Sequence, residues 1–281
     1  MNSPLVSTDW LNSHLECCDL FILDVSMSKV IGKQPIIYEQ LFTIPNSYKV
    51  SIENDLSDLN SSAIHTFPSG EQVQRLSVQL GFNLQSTLIL YDDQGIYSAP
   101  RAWWIFISLG FENVFILDGG LPKWIAEGRP IDDKHHLLPQ DFGDLNSELD
   151  CNTAAITTSD MLLLNIETEN SIVIDVRAEQ RFLGVVAEPR AGVRSGHIPK
   201  SKNLPFGLVL ESTQYKAADD LKGLFEKLGC SSDSAIIFSC GSGITACIVL
   251  VAAIIADFNN VSLYDGSWAE WGSDESLPIS K

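Results

Sequence analysis

The chain of 281 residues is long enough for two domains, because a typical domain has roughly 100–200 residues. Hydrophobic residues make up 45% and charged residues 19%, a composition typical of globular rather than disordered proteins. Acidic residues outnumber basic ones by 36 to 18, which gives a formal net charge of −18. A surface this acidic repels phosphate backbones and anionic lipids, so we expect neither nucleic acid nor a membrane as a partner.

The sequence contains no pattern that indicates export or membrane insertion. The opening MNSPLVSTDW lacks a basic region followed by an apolar one. The longest apolar run, residues 246–256, is too short to cross a bilayer. We therefore expect a soluble, cytoplasmic protein whose cysteines are reduced thiols. Because no C-x-x-C pair is present, we expect no metal site. We also expect no cofactor.

The two halves of the chain repeat one order of patterns. The first half contains the strand-like runs LFILDV (20–25) and STLILYD (86–92), a loop, a helix entered through Pro100, and VFILDGGLPKW (114–124). The second half contains SIVIDV (171–176), a helix over 217–228, SAIIFS (234–239), the loop CGSGIT, an apolar helix from Ala246, and VSLYDGSWAEW (261–271). An ungapped match through Asp118 and Asp265 places Asp93 opposite Cys240.

Apolar strands that alternate with helices predict an α/β fold with parallel sheets and helices on both faces. We expect two copies of this domain in tandem, over residues 1–130 and 156–281. The intervening residues 131–155 are polar, acidic and without periodicity, so we interpret them as a linker.

Cys240 is the strongest candidate for a reactive side chain. It follows SAIIFS directly, and ligands of open parallel sheets bind at the carboxyl ends of the strands. Gly241 and Gly243 allow the backbone to curl so that successive N–H groups point inwards, and the next helix adds its positive end. Both effects favour a thiolate. The alternative is a buried, inert cysteine, but the first half lacks a cysteine here, which favours a function for the second-half loop only.

Five segments carry the most specific pattern: SAPRAWW (98–104), LDGGLPKW (117–124), SGHIP (195–199), CGSGITA (240–246) and YDGSWAEW (264–271). Together they resemble the rhodanese superfamily of sulfurtransferases, and within it the tandem-domain 3-mercaptopyruvate sulfurtransferases. The resemblance implies that Cys240 takes a sulfane sulfur from 3-mercaptopyruvate as a persulfide and releases pyruvate. It also implies transfer of that sulfur to thioredoxin, a small dithiol or cyanide. The outer sulfur would be cradled by backbone N–H groups of the loop, those of Gly241, Gly243, Ile244 and Thr245.

The residues near Cys240 indicate the donor. Relatives that prefer thiosulfate carry basic residues directly after the cysteine, whereas Gly241 and Ser242 are neutral. The segment 178–192 supplies Arg181 and Arg190, which match arginines that hold the carboxylate and carbonyl of mercaptopyruvate. The planar guanidinium suits a carboxylate. Without the resemblance, both would be interpreted as solvated surface arginines.

The resemblance further implies a proton relay. Ser242 matches a serine of this relay and His65 matches its histidine, a residue type that can protonate the pyruvate enolate. Strict counting from His65 places Asn54 where the family has an acidic residue. The acidic partner of His65 is therefore Glu53, Asp55 or no residue at all, and the sequence does not choose among these alternatives.

Three other functions share parts of this pattern. A thiosulfate sulfurtransferase of the same fold is disfavoured by the neutral loop. A cysteine phosphatase requires an arginine at position 246, which is Ala246, so we reject it. A non-catalytic sulfur-binding module is disfavoured because Cys240 lies in an intact glycine-rich loop.

Overall fold

The computed structural model describes residues 3–61, 63–137, 149 and 152–281, which form two compact units. The first unit comprises Met1–Leu59, Phe67–Asn152 and Ser212–Tyr215. The second comprises Asn60–Thr66, Thr153–Glu211 and Lys216–Lys281. Each unit therefore includes one short segment from the opposite half of the chain.

The first half contains five strands and four helices within the described residues. In chain order they are β1 (Leu5–Val6), α1 (Thr8–His14), β2 (Leu20–Asp24), β3 (Ser47–Lys49), α2 (Gly70–Leu80), β4 (Thr87–Tyr91), α3 (Ala99–Ser108), β5 (Val114–Leu117) and α4 (Gly120–Ala126). The strands pair in parallel in the order β1-β5-β4-β2-β3.

The second half begins its regular structure after a 3₁₀ turn at Thr153–Ala155. Its first elements are β6 (Ile156–Thr157), α5 (Ser159–Thr168), β7 (Ser171–Asp175), α6 (Glu179–Phe182), β8 (Lys202–Asn203), a second 3₁₀ turn (Phe206–Val209), β9 (Leu210–Glu211) and β10 (Gln214–Tyr215). The remaining elements are α7 (Ala218–Lys227), β11 (Ala235–Ser239), α8 (Ala246–Ile255), β12 (Val261–Tyr264) and α9 (Ser267–Trp271). Five strands form a parallel sheet in the order β6-β12-β11-β7-β8.

The two sheets have the same strand order, which confirms the predicted duplication and the α/β class with central parallel sheets. The central strands are buried runs such as TLILY in β4 and AIIFS in β11, as expected for strands covered by helices. Every residue of α8 from Ala246 to Ile254 is buried, which explains its uninterrupted apolar sequence. The tryptophans Trp124, Trp268 and Trp271 are fully buried in the cores.

Strand register corrects the predicted match of Asp93 with Cys240. Asp24 pairs with Tyr91 across β2 and β4, and Asp175 pairs with Ser239 across β7 and β11. The residue that follows each of these strand ends is Asp92 in the first unit and Cys240 in the second. The ungapped match fails because the first-unit loop has one more residue before its helix, and only the strand pairing reveals this shift.

The first part of the predicted linker is held against the first unit. Thr43 and Asp132 exchange two backbone hydrogen bonds of 2.9 Å, and the His136 N–H donates to the Ser47 carbonyl at 2.7 Å. His135 Nε2 lies 2.8 Å from Asp24 Oδ2 at the end of β2. Residues 138–148, 150 and 151 of the predicted linker lie outside the described residues, and the domain boundaries at 130 and 156 stay a prediction.

Within the described ranges, no helix combines the length and the apolar character needed to span a membrane.

Asp24 is a buried carboxylate that His135, Lys49 and Ser26 stabilise. Burial by itself would raise its pKa, but hydrogen bonds from His135 and Ser26 and the charge of Lys49 outweigh burial and lower the pKa to about 2. A depressed pKa contributes stability that is present above the unfolded-state value near 3.8 and is lost as the pH falls towards 2.

We therefore expect Asp24→Asn to lower the free energy of unfolding by about 2 kcal/mol at neutral pH. This difference from the parent protein should shrink between pH 4 and pH 2, and urea titrations across that range measure it. Asp133→Asn is the matched control, because Asp133 is exposed in the same segment as His135. A difference for Asp24→Asn that does not change with pH would contradict this assignment.

Candidate active site

The loop after β4 of the first unit encloses a carboxylate. Asp92 is completely buried, and its Oδ1 accepts a hydrogen bond from the Gln94 N–H at 2.9 Å. Its Oδ2 accepts hydrogen bonds from three further N–H groups, those of Tyr97 (2.8 Å), Ser98 (2.9 Å) and Ala99 (3.0 Å). Burial raises the pKa of Asp92 above its ordinary value, and these four donors oppose the shift without reversing it. The loop and the start of α3 therefore form a cradle for an anion.

The loop after β11 of the second unit has the same geometry with a thiol in place of the carboxylate. The carbonyl of Cys240 accepts a hydrogen bond from Trp268 N–H at 2.9 Å, as the carbonyl of Asp92 does from Leu121 N–H at 3.1 Å. Gly243 has φ of +79° and the corresponding Gly95 has φ of +96°, a conformation that favours glycine. Cys240 is 1% exposed, so its thiol lies inside the fold at the start of this loop.

Ser267, at the start of α9, contacts Cys240. Its Oγ accepts a hydrogen bond from the Cys240 N–H at 3.2 Å and donates to the Tyr264 carbonyl at 3.0 Å. The same Oγ lies 4.0 Å from Cys240 Sγ. Ser267 has a left-handed φ of +50°, and its counterpart Gly120 has φ of +52°. The second unit thus keeps a serine in a backbone conformation that the first unit gives to glycine.

A group of charged side chains lies beside this loop, and we call it the arginine cluster: Asp175, Arg177, Arg181, Glu188 and Arg190. Arg177 is buried, donates to both Asp175 oxygens, and stacks over the ring of Trp268 with 4.4 Å between its Cζ and the ring centroid. Glu188 accepts hydrogen bonds from Arg177 Nη1 at 2.8 Å and Arg181 Nε at 3.1 Å, and also from Arg181 Nη2. Three guanidinium groups against two carboxylates leave one net positive charge in the cluster.

Both predicted arginines lie next to Gly241. Arg190 Nη1 donates to the Gly241 carbonyl over 3.5 Å, a long hydrogen bond. A Cβ at position 241 would lie 3.3 Å from Arg181 Nη2, so the guanidinium rests on the space that glycine leaves. Burial lowers the pKa of Arg190, while Cys240 raises it through Coulombic attraction. Arg190 therefore lies within electrostatic range of Cys240.

Ser242 and His65 lie in contact, as the sequence predicts for a relay. His65 Nδ1 is 3.1 Å from Ser242 Oγ, and both residues belong to the second unit. His65 has a left-handed φ of +56°, in a turn where Thr66 Oγ1 donates to Ser61 Oγ at 2.8 Å. In the first unit, the candidate acids Glu53 and Asp55 both accept hydrogen bonds from Ser51.

The structure thus brings all of the sequence-predicted site residues together within the second unit: Cys240, Gly241, Ser242, Gly243, Ile244, Thr245, Arg181, Arg190 and His65. Sequence reasoning missed Ser267, Glu188 and Arg177. A signal for Ser267 existed in the repeat, where DGG of the first half becomes DGS of the second. Glu188 lies in the same segment as the two predicted arginines, but nothing in the sequence indicates that it bridges Arg177 and Arg181.

A family model described as the rhodanese-like domain matches residues 7–127 and 158–274. The chain therefore belongs to the rhodanese family, as its sequence motifs indicate. The 3-mercaptopyruvate sulfurtransferase of Escherichia coli strain K12 is 37% identical over 98% of this chain and 96% of its own length. The thiosulfate/3-mercaptopyruvate sulfurtransferase 2 of Arabidopsis thaliana is 34% identical over 99% of this chain and 86% of its own length.

Among solved structures, SseA from Escherichia coli, described as having the rhodanese fold of 3-mercaptopyruvate sulfotransferases, is 34% identical. It superposes with a TM-score of 0.81 over 95% of this chain and 99% of its own. These similarities, over nearly the whole length of both chains, make this protein a sulfurtransferase enzyme.

The contrast between Ser267 and Gly120 provides a matched pair of substitutions. Ser267→Gly removes the hydroxyl at a φ that glycine adopts without strain, whereas Ser267→Ala removes it and keeps the strain. We expect iodoacetamide to alkylate Cys240 at least about threefold more slowly in both variants than in the parent protein at pH 7. The reason is that the Ser267 hydroxyl contacts both the backbone N and the Sγ of Cys240. Only Ser267→Ala should lose thermal stability.

Peptide mass analysis separates Cys240 from the exposed Cys17 and Cys18, whose alkylation rates serve as internal standards. Alkylation of Cys240 in Ser267→Gly at the parent rate would show that Ser267 acts only through its backbone.

Proposed function

We propose that this chain transfers a sulfane sulfur from 3-mercaptopyruvate, through a persulfide on Cys240, to a thiol acceptor. The observation that carries the proposal is the match between Cys240 and Asp92, because one loop geometry holds a carboxylate in one unit and presents a thiol in the other. A cradle built for an anion suits a cysteine that must react as a thiolate and carry a negatively charged outer sulfur.

In the first half-reaction, the Cys240 thiolate attacks the sulfur of 3-mercaptopyruvate. The S–S bond of the persulfide forms as the C–S bond breaks, and the electron pair passes to carbon as the pyruvate enolate. A proton then converts the enolate to pyruvate. In the second half-reaction, the acceptor attacks the outer sulfur and regenerates the Cys240 thiolate. The acceptor is a thiolate, from thioredoxin or a small dithiol, or it is cyanide.

The loop amides are suited to the outer sulfur. By correspondence with the donors to Asp92, they are the N–H groups of Ser242, Ile244, Thr245 and Ala246. In the described part of the chain, none of these four donates to a protein acceptor. Gly241 and Gly243 keep the backbone close to the thiol, and α8 directs its positive end towards this loop.

The arginine cluster supports an α-keto acid as the donor. Arg190 and Arg181 lie at Gly241, where they can hold the carboxylate and the ketone of 3-mercaptopyruvate. A basic side chain at position 241, as in thiosulfate-preferring relatives, would meet the guanidinium of Arg181. The bound donor therefore faces two fixed arginines and a neutral loop.

Ser242 and His65 supply a route for the proton. With Nδ1 of His65 at 3.1 Å from Ser242 Oγ, a proton can pass from the imidazole through the hydroxyl to the enolate carbon. The sequence leaves Glu53, Asp55 or no residue at all as the acidic partner of His65. The cytoplasmic location expected from the sequence stays a prediction.

The first test is a comparison of 3-mercaptopyruvate and thiosulfate as donors with one dithiol acceptor. We expect kcat/KM to be at least about tenfold higher for 3-mercaptopyruvate, because the cluster offers one net positive charge to a monoanion. Cys240→Ser should abolish transfer from both donors while the protein stays folded, as measured by circular dichroism.

The outcomes separate the candidate functions. A preference for thiosulfate, which the name of the Arabidopsis relative includes, would replace the donor and overturn the charge argument. Turnover of neither donor would favour a non-catalytic sulfur-binding module. Residual transfer by Cys240→Ser would mean that another thiol carries the persulfide.

Arg190→Ala tests the donor-binding role separately. We expect the KM for 3-mercaptopyruvate to rise at least about tenfold, because a charge-assisted hydrogen bond to the carboxylate is lost. Attack of the dithiol on preformed persulfide, followed in a single turnover, should change much less. Equal losses in the two half-reactions would exclude Arg190 as a donor-binding residue.

A further inference from the structure

Glu188 occupies the centre of the arginine cluster. Its carboxylate is 4% exposed and contacts two guanidinium groups, those of Arg177 and Arg181. Arg177 is fixed independently, because it also donates to Asp175 and to the Gly196 carbonyl at 2.7 Å. Glu188 is therefore the link between a rigid, buried arginine and the arginine that reaches the Cys240 loop.

This link fixes the orientation of Arg181. Nε and Nη2 of Arg181 both donate to Glu188, a two-point contact that holds the guanidinium plane. The same guanidinium lies 3.3 Å (Nη2) and 4.0 Å (Nη1) from the position that a Cβ of residue 241 would take. Loss of the Glu188 contact would leave Arg181 free to rotate away from the loop.

Glu188 also sets the charge beside Cys240. With Glu188 ionised, the cluster carries one net positive charge, and without that carboxylate it would carry two. The side chains of Asp175, Arg177 and Glu188 are at most 4% exposed, and a charge out of water counts for more than one at an exposed surface. A monoanion such as 3-mercaptopyruvate balances one charge, whereas a dianion such as thiosulfate balances two.

We propose that Glu188 is a positioning and specificity-determining residue. Its carboxylate orients Arg181 towards the donor and limits the cluster to a single net positive charge, so that the site selects monoanionic over dianionic sulfur donors. This role rests on the proposed function of the same site.

Three variants separate the two effects. Glu188→Gln removes the charge and weakens the contact with Arg181. Glu188→Asp keeps the charge but shortens the reach of the carboxylate. Glu179→Gln is the matched control, because it removes one carboxylate from an exposed position of α6 near Arg181 in sequence. Each variant is assayed with both donors, and attack of the dithiol on preformed persulfide is measured separately.

For Glu188→Gln we expect the ratio of kcat/KM for thiosulfate to that for 3-mercaptopyruvate to rise at least about tenfold over the parent ratio. Part of this change should come from better use of thiosulfate. For Glu188→Asp we expect a higher KM for 3-mercaptopyruvate, a nearly unchanged kcat and no gain with thiosulfate. Attack on the persulfide and the donor ratio of Glu179→Gln should stay at the parent values.

Equal losses with both donors in Glu188→Gln would overturn the proposal and leave Glu188 as a structural residue. An equal change of the ratio in Glu179→Gln would reduce the effect to overall charge. If Glu188→Gln does not fold, Glu188→Asp decides, because a KM effect confined to 3-mercaptopyruvate supports the role and equal losses overturn it. The donor preference of the parent enzyme tests the proposed function itself, whereas the change in ratio caused by each variant tests Glu188.

Discussion

The placement of an anion at the carboxyl end of a buried parallel sheet constrains both units of this protein. A buried negative charge is stable only where hydrogen-bond donors surround it, and a tight loop that leads into a helix supplies several N–H groups at once. In the first unit the anion is part of the chain, since the Asp92 carboxylate accepts four such bonds. In the second unit Cys240 follows the corresponding strand end, and the glycine of the loop after it has the same left-handed conformation.

The two copies differ in ways that follow from this substitution. The first unit is complete without a ligand because Asp92 fills its own cradle. Gly120 then needs to supply only a left-handed turn beneath it. In the second unit the corresponding Ser267 adds a hydroxyl that contacts both the backbone and the sulfur of Cys240. The two copies therefore share one scaffold and differ in a few side chains at this loop.

The strand-end carboxylates show the same divergence. Asp24 and Asp175 occupy equivalent positions, at the ends of β2 and β7. Asp24 is paired with Lys49 and His135, which holds the residues after α4 against the first unit. Asp175 is paired with buried Arg177, and through Glu188 this pair supports Arg181. One carboxylate thus anchors a segment of chain, and the other anchors the arginine cluster beside Cys240.

Local charge and overall charge have opposite signs in this protein, and distance decides which one a donor meets. The chain carries a formal net charge of −18, but exposed charges are largely screened beyond about 8 Å at physiological ionic strength. At about 4 Å, a charge pair near a protein surface is worth about 4 kcal/mol, against about 1 kcal/mol in bulk water. The arginine cluster is therefore a local region of positive charge in an acidic chain.

The sequence by itself determined the duplicated α/β fold, the strand that ends at Cys240 and the glycine-rich loop that follows, because apolar runs and glycine positions act locally. Resemblance to a family also predicts Arg181, Arg190, Ser242 and His65 as site residues. Only the tertiary structure decided that Asp92 rather than Asp93 corresponds to Cys240, since strand pairing sets the register and one extra loop residue hides it. Only the tertiary structure decided the partners of Ser267 and Glu188 as well. Side-chain packing brings each of them against residues that are not its neighbours in the chain.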